Sequence, residues 1–427
     1  QVEFVSANPT GPLSVGHGRQ AVLGDTIANI LQWNGYDVTR EYYFNNAGRQ
    51  MRLLGLSVKI RYLQLLGEDI PFPEEGYQGE YIIDIAKKIF IKYGDTKIAE
   101  SEEGFFKEFA EKEVFEDIKS TLSKLGVKFD VFYNEHSLYE SGKLQEVVDD
   151  LRKKGLIYEK DGAIWFKTSR FGGDKDRVII KSSGEPTYRL PDIAYHREKF
   201  RRGFQYIVDI FGADHHATYP DVLAGLRALG YNSENVKVLI HQFVTLTRNG
   251  KQVKMSTRKA NFVTLDELLG EVGNDVVRYF FLMRNMNSHL NFDLSVAKKE
   301  SEENPVYYLQ YAHARICNIL KYAREKSIKK EREIDFSLLS SREEVDLMKV
   351  LAGFPDTVFL ILESLEPQHL TTYLQELATI FHKFYTEHRV VSRDRKLTAA
   401  RLALVKGTKT VLANGLKLLG ISTPEYM

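Results

Sequence analysis

Gly16, His17 and Gly18 stand where a short β-type run, residues 2–5, gives way to a helical pattern over 15–33. Glycines at such a corner let a ligand approach the backbone closely. The N–H groups that open a helix favour phosphate, and a histidine at the same corner can donate to a phosphate oxygen. Alone this is a weak signal. Much later the chain reads Val253-Lys254-Met255-Ser256-Thr257-Arg258-Lys259, a second basic loop of phosphate-binding type. The two loops together are far more specific than either.

The elements that would position them are legible in outline. Residues 1–56 read as strand, helix, strand and helix start, with the second strand over 37–44 and a turn at Asn45-Asn46-Ala47-Gly48. Parallel strands with helical crossovers imply a doubly wound, Rossmann-like sheet whose ligands sit at the carboxyl ends of strands. Residues 57–160 break that alternation with mostly helical periodicity, and predict a helical insertion with an acidic outer face. The sheet is then expected to resume with strands over 163–167, 177–181, 204–210 and 236–246. Arg248-Asn249-Gly250-Lys251 is a hairpin signal. From Phe292 onward the pattern is helical, with amphipathic segments at 304–325, 342–351, 368–387 and 398–419. The expected organisation is an α/β catalytic domain over 1–291 and an all-α bundle over 292–427.

Composition narrows the classes. With 43% apolar and 27% charged residues the chain is globular in type. No uninterrupted apolar run approaches the ~18 residues of a membrane span, and no secretion signal is visible. One cysteine, Cys317, leaves no internal disulfide and no cysteine-rich zinc site, which suits the cytoplasm. The net charge of +1 conceals an asymmetry: residues 68–117 carry 15 acidic and 6 basic side chains, residues 381–427 carry 9 basic and 3 acidic. The basic end suits a polyanion; ordinary solvated helix faces explain the pattern equally well.

The pair Ser14-Val15-Gly16-His17 and Lys254-Met255-Ser256-Thr257-Arg258 resembles the HIGH and KMSKS signatures of class I aminoacyl-tRNA synthetases. The segments EFVSANPTGPL, EYYFNNAGRQM, NPVYYLQYAHAR and STPEYM resemble the arginyl-tRNA synthetases, and the likeness runs the whole length of the chain. The resemblance implies a ligase that forms arginyl-adenylate from arginine and ATP with Mg²⁺, then charges tRNA(Arg), acting as a monomer without structural zinc. It also implies that the usual N-terminal tRNA-corner domain is lacking.

Residue by residue, the resemblance puts catalysis on His17 and Lys254. ATP falls to Ser14, Gly16, His17, Gly18, Asp214, His215, Lys254, Met255 and Ser256. Arginine falls to Glu3, Ser6, Asn8, Tyr188, Asp192 and Asp214. A guanidinium is always charged and presents a fixed donor fork, so acids suit its pocket. Asp192 could instead be a first-turn acid favoured by the helix dipole. His215 and His216 are adjacent, face different ways on either element and make a poor shared metal site. Tyr308, Tyr311 and Arg315 share a helix face, the chemistry that splayed bases require; with Phe384, Tyr385, Arg389 and Met427 they are the expected tRNA contacts. Two departures stand out, Ser14 at the first HIGH position and Tyr426 where the family usually has arginine. Ser14 keeps open a non-catalytic or weakly active tRNA-binding relative. A small-molecule nucleotidyltransferase is a third reading, for which the helical tail has no task.

Overall fold

The computed structural model describes residues 1–213, 218–253, 263–326 and 333–427. They form two compact units: the first takes residues 1–24, 38–243 and the described part of 254–267, the second takes 25–37, 244–253 and the described part of 268–427. The units are thus cut differently from a single division at 291/292.

The strands of the first unit are β1 (Val2–Glu3), β2 (Arg40–Phe44), β3 (Val131–Asn134), β4 (Ile157–Lys160), β5 (Ala163–Phe166), β6 (Arg177–Ile180), β7 (Ile207–Gly212) and β8 (Val236–His241). Five of them form one all-parallel sheet in the order β3-β2-β1-β7-β8. The order switches direction between β1 and β7, and the carboxyl ends of those strands are where a doubly wound fold opens its crevice. Ile207, Val208 and Ile210 are buried, as a strand covered on both faces demands. Asp209 is the polar exception in that run, and it is fully buried.

Helices α1 (Val15–Trp33), α2 (Gly48–Leu65), α3 (Glu80–Tyr93), α4 (Lys107–Lys124), α5 (His136–Glu140), α6 (Lys143–Lys153), α7 (Arg189–Arg201) and α8 (Tyr219–Leu229) accompany these strands. The stretch over 57–160 is mainly helical, with Ile82, Ile85 and Ile89 of α3 turned into its core, but Phe90 is exposed. That stretch also contains β3, a full member of the main sheet paired with β2. Four residues on a sheet edge are too few to show a period of two. The strands expected over 163–167 and 177–181 do not rejoin the parallel sheet either. Instead β5 pairs antiparallel with β4 on one side and with β6 on the other, in a separate sheet of order β4-β5-β6.

In the second unit β9 (Val244–Arg248), β10 (Lys251–Gln252) and β11 (Leu290–Asp293) form a small sheet of order β10-β9-β11. One strand was expected over 236–246; the chain breaks it into β8 and β9, which belong to different sheets. Asn249 and Gly250 adopt φ of 52° and 72°, the paired left-handed turn that suits a tight hairpin. The helices are α9 (Leu265–Val272), α10 (Asn274–Leu282), α11 (Leu294–Ala297), α12 (Pro305–Glu325), α13 (Arg342–Ala352), α14 (Phe354–Ser364), α15 (Gln368–Glu387) and α16 (Arg395–Leu418). Asn304 caps α12 and accepts from the Val306 N–H, with Pro305 pre-set for the first turn. Sequence periodicity foretold α12, α13, α15 and α16; α14, largely apolar around its circumference, carried no clear stripe.

Gly24 shows how tightly α1 lies over the first strand: a Cβ there would come within 2.2 Å of the Phe4 ring carbon Cγ. Gly24→Val is expected to cost about 1–3 kcal/mol through overpacking, measured as a lowered midpoint in thermal or denaturant unfolding.

Candidate active site

The phosphate-type corner is built by a cap. The Ser14 hydroxyl accepts from the His17 backbone N–H at 3.4 Å, and the Ser14 N–H donates to His17 Nδ1 at 3.1 Å. This reciprocal pair follows the logic of a capping box, with imidazole in place of a carboxylate. Because Nδ1 accepts, the proton of the neutral ring sits on Nε2, which is the donor a phosphate oxygen needs. Ser14 therefore serves as a cap and a tautomer-setter, a role that its phosphate assignment did not anticipate. Arg19, fully buried, donates to the Gln242 carbonyl at 2.8 Å, and burial lowers its guanidinium to about 10. Gln20 donates to the Ile210 carbonyl, so α1 is tied to β7 and to the chain just after β8.

Asp214, His215, Lys254, Met255 and Ser256 lie outside the described residues, as do His216 and Arg258.

The arginine-pocket candidates converge. Glu3, at the end of β1, is buried; its Oε1 accepts from the Ser6 hydroxyl at 3.0 Å. Val5 and Ser6 have φ of 68° and 43°. A branched residue in that region is a true outlier, at a cost of order 1–3 kcal/mol. The kink ends β1 after two residues and turns Ser6 toward β2, where its hydroxyl accepts from the Tyr43 N–H at 3.2 Å. Asn8 reaches the loop after β2: its Oδ1 accepts from the Asn45 N–H at 3.1 Å and its amide donates to Gln50 at 3.0 Å. Asp192 comes from the first turn of α7 and is partly buried. Burial pushes its carboxyl up to about 7; His196 and Lys199 oppose that, Glu135 and Glu3 reinforce it. Glu3 and Asp192, from distant parts of the chain, thus feel each other directly.

Two features modify the expected pocket. Glu3 is not an unpaired acid: its Oε2 accepts from the Lys199 ammonium at 2.5 Å. Tyr188, just ahead of α7, is 83% exposed and stands near Tyr139 rather than enclosed among the acids.

A third acid had escaped sequence reasoning. Glu135 follows β3 directly and is buried; its Oε2 accepts from Tyr43 at 2.8 Å and its Oε1 from Asn45 at 2.9 Å. Burial raises its carboxyl despite these donors. The Tyr43 hydroxyl is held well above its usual range by burial first, then by Glu135, Asp192 and Glu3. Tyr43 and Tyr133 pack on Tyr195, with ring centroids 4.3 and 4.8 Å away. The result is an aromatic wall beside acids, suited to a flat cation. Glu41 does not add to this charge, because Arg202 holds both its oxygens at 2.6 and 2.7 Å. Only the position of Glu135 at a strand's carboxyl end could have flagged it, and that strand had not been recognised.

In the second unit Tyr308, Tyr311 and Arg315 share one face of α12, partly exposed. The Arg315 guanidinium lies 4.5 Å from the Tyr311 ring centre and 4.9 Å from that of Tyr385, and donates to Tyr311 at 2.7 Å. His382 packs on Tyr308 at 4.7 Å, and burial, then Arg315, lowers its imidazole to about 4. Tyr385, Arg389 and Met427 are exposed. Phe384 is fully buried and cannot present its ring to a base. It continues the α15 core stripe Leu370, Leu374, Leu377 and Phe381, all buried, so the helical period places it inward. Cys317 is half-buried.

Comparison with known proteins gives consistent matches. A family model for the class I (R) tRNA synthetase catalytic domain matches residues 1–293, and one for the DALR anticodon binding domain matches 309–427. An arginine–tRNA ligase of Desulfotalea psychrophila is 56% identical, over 100% of this chain and 78% of its own length. One from Salinibacter ruber is 50% identical, over 100% of this chain and 79% of its own. A crystal structure assigned as an arginyl-tRNA synthetase of Campylobacter jejuni superposes with a TM-score of 0.91 at 36% identity, covering 100% of this chain and 93% of the other.

The raised Asp192 carboxyl sets a pH dependence. If Asp192 receives the guanidinium, the ionised form is the one that binds, and with its carboxyl raised to about 7 the binding of arginine near neutral pH is expected to expel a proton. Affinity for arginine is expected to strengthen as pH rises from 6 to 8 and then level off. Calorimetric titration in two buffers of different ionisation heat checks both the trend and the proton release.

Proposed function

We propose a division of labour among the residues of this chain, which belongs to the arginyl-tRNA synthetase family of class I. The chain is a ligase: it activates arginine with ATP and transfers it to tRNA(Arg). The observation that carries the residue-level reading is the meeting of Asp192, Glu135 and Glu3 beside the Tyr43, Tyr133 and Tyr195 wall, at the carboxyl ends of the central strands.

In this reading Asp192 and Glu135 take the guanidinium, while Glu3, Ser6 and Asn8 shape the floor and Tyr188 covers the mouth. The arginine carboxylate attacks the α-phosphorus of ATP; an oxygen–phosphorus bond forms as the bond to pyrophosphate breaks. His17 donates from Nε2 to a phosphate oxygen, Gly16 and Gly18 give the nucleotide room, and Lys254 meets charge that grows as pyrophosphate departs. Met255 and Ser256 shape its loop, and Asp214 and His215 contribute on the nucleotide side. Positioning and electrostatics suffice, with no covalent protein intermediate. A hydroxyl of the terminal adenosine then attacks the activated carbonyl and AMP leaves. ATP enters as its Mg²⁺ complex, the ion held by triphosphate oxygens. The capping role of Ser14 removes the main ground for a non-catalytic relative. We read the protein as a cytoplasmic monomer whose residues 292–427 meet the anticodon through Tyr308, Tyr311, Arg315, Tyr385, Arg389 and Met427. No described helix is long and apolar enough to cross a membrane.

Arginine-dependent ATP–pyrophosphate exchange in the presence of tRNA(Arg) tests the assignment; exchange driven by a different amino acid would refute it. Asp192→Asn is expected to weaken arginine by about 2–5 kcal/mol while leaving the KM for ATP unchanged. An unaltered KM for arginine would take Asp192 out of the pocket. Arg315→Ala removes the cation between two tyrosine rings and should raise the KM for tRNA by about 1–3 kcal/mol in binding terms, without altering the KM for arginine.

A further inference from the structure

Lys199, on the third turn of α7, has no solvent exposure, and the reaction as described makes no use of it. On helix α7, Asp192, His196 and Lys199 lie at spacings of four and three, on one face. That face looks onto β1 and β7. The Lys199 ammonium donates to Glu3 Oε2 at 2.5 Å and to Asp209 Oδ1 at 2.6 Å. Asp209 Oδ2 lies 2.9 Å from His196 Nε2, and His196 Nδ1 lies 2.7 Å from the backbone carbonyl of Asp192. A carbonyl only accepts, so Nδ1–H is the donor in that last contact; a carboxylate likewise only accepts, so Nε2–H donates to Asp209. The ammonium also sits 4.5 Å from the Tyr195 ring centre, the ring on which Tyr43 and Tyr133 pack.

A buried ammonium is expensive unless paired. Burial alone would push Lys199 down, but Asp209 and Glu3 outweigh it and hold the group above its ordinary value. Asp209 is likewise held well below the usual carboxylate range, Lys199 and His196 outweighing its burial. Two carboxylates, one ammonium and one imidazole therefore form a continuous, fully buried chain of contacts. It starts at Glu3 on the first strand and ends at the backbone of Asp192 on the helix. Both ends are pocket residues, and neither is otherwise bonded to the other.

We infer that Lys199 is a positioning residue for arginine recognition, clamping Glu3 through one contact and the Asp192 turn of α7 through Asp209 and His196. The inference rests on the reading of Asp192 as a guanidinium ligand. Its logic is geometric. A bidentate carboxylate–guanidinium pair requires its acids at a fixed separation and orientation, and those acids come from two elements that share no backbone hydrogen bonds. A misplacement of about 1 Å costs as much as a hundredfold. The clamp converts the helix–strand packing into a fixed spacing of acids.

The test separates positioning from mere support of the fold. A structural role alone would reduce the amount of active protein, lowering kcat with the KM for arginine unchanged. The variants are Lys199→Met with Asp209→Asn, which removes one cation and one anion together, and Asp209→Asn alone, which keeps the Lys199–Glu3 pair and loosens only the His196 arm. Aminoacylation kinetics with arginine, ATP and tRNA(Arg) varied in turn are read beside thermal unfolding. The expected result is a KM for arginine raised about ten- to a hundredfold in the double variant and by a smaller factor in Asp209→Asn, with the KM for ATP unaltered in both. An unchanged KM for arginine in Asp209→Asn overturns the inference, whatever the fate of the double variant. Asp192→Asn, measured alongside, separates the two readings. If it too leaves the KM for arginine unchanged, the pocket assignment itself has failed; if it raises that KM, only the clamp has.

Discussion

An excess of buried negative charge is the constraint around which the catalytic unit is organised. Glu3 on β1, Asp209 on β7, Glu135 just after β3 and Asp192 in the first turn of α7 gather on one side of the sheet, and Lys199 is the ammonium set between Glu3 and Asp209. Carboxylates withdrawn from water repel one another and are destabilised by the low-dielectric surroundings. The structure answers in two ways. Glu3 and Asp209 are satisfied internally by Lys199, Ser6 and His196. Among the described residues no cation pairs with Asp192 or Glu135, and burial raises both carboxyls. A permanently cationic, planar ligand relieves that state better than a proton does. Relief of that state is what the proposed guanidinium contact offers.

Much of this could be read in the sequence, and the failures have identifiable causes. The glycine-flanked His17 after an apolar run, the Asn249-Gly250 turn and the long amphipathic helices α12, α15 and α16 are local signals that structure rarely overrides. The nearness of Glu3 and Asp192 was legible only through family resemblance, since no local pattern joins residues so far apart. Glu135 was missed because β3 is a short edge strand, within a region otherwise dominated by helical periodicity. A lysine on a helix rich in arginines reads as solvated, so nothing marked Lys199 as buried. Phe384 shows the opposite error: a ring near arginines suggested base stacking, while the seven-residue spacing from Leu377 already placed it in the core. Ser14 is a third kind of case. Its departure from the signature looked like a loss, yet the hydroxyl caps the helix by accepting from the His17 N–H, while the Ser14 backbone N–H donates to Nδ1 and leaves the ring proton on Nε2.

The helical unit uses similar physics at lower stakes. Arg315 lies against the rings of Tyr311 and Tyr385 and is bonded to Tyr311, which restricts a long side chain before any ligand arrives. His382, its imidazole lowered to about 4, stays uncharged at neutral pH, so the charge of the cluster resides on Arg315. Arg278 plays a scaffold part: fully buried, it pairs with Asp25 at 2.6 Å and donates to the Leu419 carbonyl at 2.7 Å. It thereby seats the segment that follows α16.

The left-handed backbone at Val5 and Ser6 has one more implication. A central strand of only two residues is an anomaly in a parallel sheet, whose inner members ordinarily run longer. By halting β1 early, the kink leaves β2 and β7 projecting past it like the walls of a notch. The gap between β2 and β7, where we place the amino acid, is thus made by omission of ladder rungs rather than by hollowing a core. The strain itself opposes that geometry; the contacts of the Ser6 hydroxyl with Glu3 and with the Tyr43 N–H hold the chain in it.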